Sequence, residues 1–338
     1  MVKAKKFVLT KHFVGEPKPG DLTLVEFDLP ELKDGEILVQ AEYLSVDPYM
    51  RPYSARFPIG TTMIGGQVAK IIKSKNPKFP VDKRIVGYLG WTTHSVLNPD
   101  DPNPDILNMK PYIISGIMDD LPVSFALGMA GMPGNTAYFG LTEICQPKAG
   151  ETLVVSGAAG AVGSHVGQIG KILGMKVIGI AGSDAKCQWL VNQLKFDHAI
   201  NYKTEDVSTA LKKAAPDGVD CYFDNVGGEI SSTVIYQMRL RGRVSICGSI
   251  SSYNADMTAL PKATIVQLGM IFTEIKMEGF MVTRWNDRWM EAIQKNVAWI
   301  REGKLISRET VTEGFENMFK AFTGMLKGEN FGKAIVKV

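Results

Sequence analysis

Over roughly the first 120 positions, apolar residues fall in short alternating runs, such as "EILVQAEYLSV" at 36–46 and "GGQVAKIIKS" at 65–74, broken by proline and glycine. A period of two over runs this short predicts half-buried strands, so the stretch reads as an all-β domain. Four prolines in "LNPDDPNPDILNMKP" at 97–111 predict a surface excursion that ends the β region. From about 150 the pattern changes to nearly continuous, branched apolar runs: "TLVVSG" (152–157), "KVIGIAG" (176–182), "HAINY" (198–202), "VDCYFDN" (219–225), "GRVSICGS" (242–249) and "KMEGFMV" (276–282). Strands of that kind are covered on both faces, and the helical stretches between them supply the cover. Six at this spacing predict an α/β fold, a doubly wound parallel sheet. A helix is expected at 288–303, then another helix and a last strand "KAIVKV" that can return to the β domain.

The first strand of the sheet runs directly into "SGAAGAVGSHVGQIG", with glycines at 157, 160 and 163. Such a turn is either a ligand-free tight turn or a place where backbone must approach a ligand closely. Between a strand and a helix of a doubly wound sheet, the second reading gains weight. The helix N-terminus there offers unpaired amides and a positive dipole end to a pyrophosphate, at Gly160 to Gly163.

Composition narrows the partners. A chain of 338 residues suggests two domains, and 45% hydrophobic with 22% charged residues is ordinary globular content. The net charge of +3 is spread without blocks, so no nucleic-acid partner is expected. The basic start lacks an apolar signal core and no window is long enough for a membrane span, so a cytoplasmic protein with no membrane partner is expected. Cys145, Cys187, Cys221 and Cys247 are far apart in sequence, which fits a reducing compartment. His12, His94, His165 and His198 lie on unrelated segments. No metal site is expected, and His94 and His165 read as packing residues.

An NAD-binding fold places a carboxylate at the end of the second strand, but here that strand ends "GIAGSDAK". Asp184 comes later, where it is expected to cap the next helix. Lys186 then falls in the first helical turn, either as a solvated surface lysine or as the partner of a 2′-phosphate. The missing acid favours NADP.

Several segments carry a resemblance: "SVDPYMR", "GWTTHS", "GMPGNTAYFGL", "AAGAVGS", "NYKT", "PDGVDCYFDNVGG", "ICGSIS", "RW" and "GFENM". In order and from about residue 7 onward, they resemble the prostaglandin reductase / leukotriene 12-hydroxydehydrogenase family of the zinc-independent medium-chain dehydrogenases/reductases. The resemblance implies a Rossmann sheet domain at 121–303 inserted in a GroES-like β domain of 1–120 and 304–338. It implies NADP contacts at Gly160, Ala161, Val162 and Gly163, with Lys186 and Tyr202 at the 2′-phosphate. Asn225, the loop Cys247, Gly248, Ser249, Ile250, Ser251, Ser252 and Tyr253, the segment Phe280, Met281, Val282, Thr283, Arg284, Trp285 and Asn286, and Asn330 would complete the site. Tyr253 is the catalytic candidate, its phenol facing the oxygen of an enone; the alternative is a loop aromatic that only packs. The implied activity is NADPH-dependent reduction of the conjugated double bond of lipid enones and enals such as 15-oxoprostaglandins and alkenals, with oxidation of a 12-hydroxy-leukotriene left open. A homodimer is also implied. Gly157 stands where alanine is usual and Thr283 where tyrosine is common, which bears on the substrate pocket. A zinc-free quinone reductase and a non-catalytic NADPH-binding protein remain as alternatives.

Overall fold

The computed structural model of the chain describes residues 3–101, 109–255 and 262–338. It divides into two compact units, residues 1–128 with 309–338, and residues 129–308. In chain order the first unit opens with β1 (Ala4–Leu9), β2 (Leu22–Phe27), β3 (Ile37–Val46), the short helix α1 (Met50–Tyr53), β4 (Gln67–Ser74), β5 (Arg84–Gly87), β6 (His94–Leu97) and β7 (Tyr112–Ile113). The second unit begins with α2 (Met132–Phe139), β8 (Thr152–Ser156), α3 (Ala161–Ile172), β9 (Lys176–Ala181), α4 (Asp184–Asn192), β10 (His198–Asn201) and α5 (Val207–Ala214). It continues with β11 (Val219–Asp224), α6 (Gly228–Ile235), β12 (Met238–Ile246), α7 (Gln267–Thr273), β13 (Lys276–Gly279) and α8 (Trp289–Arg301). The chain then returns to the first unit as β14 (Glu309–Glu313), α9 (Met318–Leu326) and β15 (Lys333–Lys337).

The first unit holds a β1–β2 hairpin and a sheet in the order β14-β15-β3-β4-β5-β7, with β6 also paired to β3. The run "EILVQAEYLSV" becomes β3, whose alternate residues Ile37 and Val39 are fully buried against Ile71 and Ile85. The returning strand β15 lies antiparallel to β3, Ala334 opposite Val46. Of the proline-rich excursion, residues 102–108 lie outside the described residues; its flanks are not purely surface, since Leu97 ends β6 and Met109 is buried.

The second unit is a six-stranded sheet in the order β10-β9-β8-β11-β12-β13, parallel at every pair. Strand order reverses between β8 and β11. In this arrangement ligands bind outside the carboxyl ends of the strands at that switch point. Val154, Ile178, Ile200, Tyr222 and Val244 pack into one buried cluster with Leu211, Val234 and Ile235 of the covering helices. The covered faces explain why the strands read as unbroken apolar runs rather than alternating ones. Gly167 and Gly170 let α3 sit directly on the sheet, since a Cβ at Gly167 would fall 1.8 Å from the Phe196 ring and one at Gly170 2.7 Å from Leu153.

Candidate functional site

Strand β8 ends at the fully buried Ser156, and Gly157 turns the chain at φ +59°, a left-handed conformation that side chains rarely adopt. The three glycines then do different work. Gly160, extended, is the N-cap of α3 and offers no side-chain cap, so the helix's first amides are left to other acceptors. A Cβ at Gly160 would meet only the Gly157 carbonyl, at 3.3 Å, while one at Gly163 would fall 2.4 Å from the same oxygen and 2.8 Å from Ala158 Cα. Gly163 therefore seats the helix against the turn, and Gly160 keeps the outer side open to a ligand's approach. Ala161 and Val162 carry the next amides of the same cradle. No acidic residue stands in this first turn, so an anion placed there meets the positive end of the dipole.

At the end of β9 the structure corrects one expectation. Ser183, not Asp184, caps α4, its hydroxyl accepting from the Lys186 amide at 3.3 Å. Asp184 is instead the first helical residue, and its carboxylate accepts from Asn201 Nδ2 at 2.6 Å. Serine wins the cap because its extended backbone at φ −163° aims the short hydroxyl at the amide three residues on. Tyr202 lies over Gly182, where a Cβ would fall 3.0 Å from the phenol oxygen. Burial, and then the charge of Lys203, lower the Lys186 ammonium below its usual range. Lys203 thus lies close enough to Lys186 for the two like charges to be felt. Lys203 was not among the expected site residues. It follows Tyr202 in "NYKT", but nothing in the sequence brings it toward a helix that begins 19 residues earlier.

At the ends of β11 and β12 the expected residues do come together. Asn225 donates Nδ2 to the Ser156 carbonyl at 2.7 Å, and its amide donates to the Ser156 hydroxyl at 3.0 Å. The loop from Cys247 to Tyr253 is laid along this edge: Ile250 N donates to the Asn225 carbonyl at 3.3 Å, and Ser251 N and Oγ donate to the Val226 carbonyl at 3.1 and 2.6 Å. Ser252 Oγ donates to the Ser249 carbonyl at 2.8 Å, closing the loop on itself. The Tyr253 phenol oxygen accepts from the Ser249 amide at 3.3 Å. A Cβ at Gly248 would sit 2.9 Å from that phenol oxygen, so the glycine makes room for it. Burial and the nearby Asp224 push the Cys247 thiol up to about 12, so it is no nucleophile at neutral pH.

The segment 280–286 splits by environment. Phe280, Met281, Thr283 and Arg284 line an open depression with Gly279, whereas Val282 and Trp285 are buried. Trp285 stacks on Phe139, ring centroids 5.1 Å apart and 12° between planes, and Phe280 meets Phe223 edge-on at 6.2 Å. Their side chains hold the segment in place, so contacts to a ligand from Val282 and Trp285 fall to the backbone. Asn286 closes the turn, its carbonyl accepting from the amide of Trp289. Asn330 belongs to the other unit, where its side-chain amide donates to the Gly332 carbonyl at 2.8 Å.

His94 is buried beside Thr93, 3.1 Å from its hydroxyl, and His165 is buried within α3. Among the described residues no three His, Cys, Asp or Glu side chains converge as metal ligands. No helix among them is long and apolar enough to cross a membrane.

Two family models match the chain, "N-terminal domain of oxidoreductase" over residues 5–104 and "Zinc-binding dehydrogenase" over 161–298. The zinc of the second description has no fitting donor set among the described residues. Over its full length the chain is 50% identical to prostaglandin reductase 1 of Bos taurus, all of that protein being covered. It is 37% identical to a 2-alkenal reductase (NADP(+)-dependent) of Nicotiana tabacum, with 100% of this chain and 98% of that one aligned. The structure of CurA from Vibrio vulnificus in complex with NADPH superimposes with a TM-score of 0.89, at 37% identity and covering 99% of each chain. Sequence identity this high over the whole length, on a shared fold, means that the chain belongs to the prostaglandin reductase family of the medium-chain dehydrogenases/reductases.

Proposed function

We propose that the protein is an NADPH-dependent reductase of the carbon–carbon double bond conjugated to a ketone or aldehyde, with lipid enones and enals such as 15-oxoprostaglandins and alkenals as substrates. The observation that carries this reading is Tyr253, a phenol held by a backbone amide through its acceptor side in a loop at the carboxyl edge of the sheet. The activities named for its relatives support it. The cradle fits the cofactor: the open side of Gly160 and the uncapped amides of Ala161, Val162 and Gly163 would hold the pyrophosphate, and Lys186, Tyr202 and Lys203 the 2′-phosphate. Asn225, the loop 247–253 and the segment 280–286 would complete it. When bound, NADPH supplies a hydride for the β carbon of the enone.

The protein's own part is to position and to donate. As negative charge moves onto the carbonyl oxygen, the Tyr253 O–H becomes a stronger hydrogen-bond partner for it than for the neutral carbonyl, which is how a donor lowers a barrier. The α carbon then takes a proton from solvent, and the saturated carbonyl compound leaves. Quinone reduction needs no such aligned donor. NADPH consumption followed side by side with a 15-oxoprostaglandin, a short 2-alkenal and a quinone tests the reading, and turnover on the quinone alone would overturn it.

The proposal extends to a homodimer. Among the described residues β13 is the edge strand of the parallel sheet, and Ile265, Leu268, Ile271 and Phe272, on the stretch of chain that leads into it, are exposed at 73, 57, 71 and 74%. An open edge next to an apolar patch is a surface that a second copy would cover. Sedimentation at micromolar concentration should give twice the chain mass, and Ile271→Glu with Phe272→Glu should return it to the monomer.

A further inference from the structure

We infer that Asp224 is a positioning residue: a single buried carboxylate that sets the mutual placement of the β8, β11 and β12 ends, and through them Tyr253 and the nicotinamide half of the cofactor site. The inference rests on the NADPH reading above.

Asp224 is the last residue of β11 and is 1% exposed. No lysine or arginine pairs with it among the described residues. Instead four neutral donors converge on Oδ1: Ser156 Oγ, Tyr222 OH, Val226 N and Gly227 N, each at 2.9 Å. Its backbone carbonyl accepts from Cys247 N at 2.8 Å and Gly248 N at 3.1 Å. One residue therefore touches three segments: the strand end that opens the glycine turn, the turn that follows β11, and the start of the loop that carries Tyr253. Ser156 extends the link, since the hydroxyl that donates to Asp224 accepts from the Asn225 amide at 3.0 Å. The turn after β11 is shaped to fit: Gly227 and Gly228 lie at φ +72° and +63°, and a Cβ on Gly227 would strike Ser249 Oγ.

Burying a carboxylate without a cation is unfavourable unless hydrogen bonds replace its water, and four donors on one oxygen do so. They also fix direction, which a flexible lysine would not. With the sheet reversing between β8 and β11, the β9 side holds the adenosine end of a dinucleotide and the β11–β12 side the reacting end. Asp224 lies on the reacting side, and Lys186, Tyr202 and Lys203 lie on the other.

That separation supplies the test, on full-length Asp224→Asn and Ser156→Ala. An amide oxygen accepts more weakly than a carboxylate and is crowded by four donors, so Asp224→Asn should loosen all three segments. With saturating NADPH and an enone, its kcat should fall about 10- to 100-fold, the range that small misplacements produce. Ser156→Ala, a smaller change that keeps the strand, should lower kcat about threefold or more in the same sense. In both variants NADPH, followed by its fluorescence, should bind at least about fivefold more weakly, while adenosine 2′-monophosphate, which carries the 2′-phosphate and no pyrophosphate, should bind within about twofold of wild type. A folded Asp224→Asn with wild-type kcat and NADPH affinity would overturn the inference. So would NADPH and adenosine 2′-monophosphate weakening together in step with a lowered melting temperature. The binding contrast needs no enone, so it stands or falls separately from the substrate class.

Discussion

Asp47 and Asp224 are both buried aspartates at the end of a strand, one in each unit, and they are satisfied in opposite ways. Asp47 follows β3 and is paired with the fully buried Lys333 of β15 at 2.8 Å, with Ser45 donating to its other oxygen; Lys333 also donates to the Val46 carbonyl at 2.8 Å. Asp224 has hydroxyls and amides and, among the described residues, no cation. An ion pair cancels charge and ties two strands that are 286 residues apart in sequence, so its work is to hold the first unit together. A carboxylate held by neutral donors instead orients each of them, so its work is to define the shape of an edge.

The largest expected effect breaks the first member of the pair. Lys333→Ala strands a buried carboxylate and should destabilise the first unit by about 3–5 kcal/mol, whereas Asp47→Leu with Lys333→Met should recover most of that loss. Urea unfolding of the three proteins checks it, and equal losses in the single and double variants would show that packing, not charge, is what Lys333 supplies.

A buried group that stays neutral sharpens the contrast. Burial lowers the His165 imidazole to about 3, so it is uncharged in the folded protein while the unfolded chain takes up a proton below its ordinary value. Stability should thus be fully present above about pH 6.5 and fall as pH drops toward 3, by about 2 kcal/mol between pH 6.5 and 5. Unfolding free energies of wild type and His165→Gln across that range should diverge by this amount, and parallel curves would refute the assignment.

At the edge that Asp224 shapes, Tyr253→Phe removes one donor and keeps the ring. Turnover of an enone should drop at least about tenfold, or roughly 1.4 kcal/mol, with little change in KM. A kcat within about twofold of wild type would make Tyr253 a packing residue. The smallest effect belongs to the opposite end of the site. Lys186→Ala should weaken NADPH about five- to tenfold, Lys203 remaining, and leave NADH unchanged; equal weakening of both cofactors by calorimetry would remove the 2′-phosphate role.

How far each of these features was legible follows from the range of the interaction behind it. All six strands of the parallel sheet stand where their apolar runs lie, within a few residues at each end; in β8, β9 and β11 the runs report burial on both faces, while β10 and β13 at the edges are partly exposed. The glycine turn was legible for the same local reason: φ at Gly157 and close packing at Gly163 leave a mark on residue type. The cap of α4 was misread by one residue, since Ser183 and Asp184 are both good caps and only backbone geometry chose between them. Within 280–286, the family resemblance placed Val282 and Trp285 beside Thr283 without distinguishing a side chain stacked on Phe139 from one lining a depression.

By itself, then, the sequence determined the class of fold, the position of the glycine turn and the absence of an acid at the end of β9, because propensity, burial and backbone freedom act through a residue's own type and near neighbours. The tertiary structure alone decided that Lys203 meets Lys186, that Asp47 finds Lys333, and that one oxygen of Asp224 gathers donors from Ser156, Tyr222, Val226 and Gly227. Charges and hydrogen bonds become strong only where water is excluded, and which groups share such a place is set by how distant segments of the chain pack.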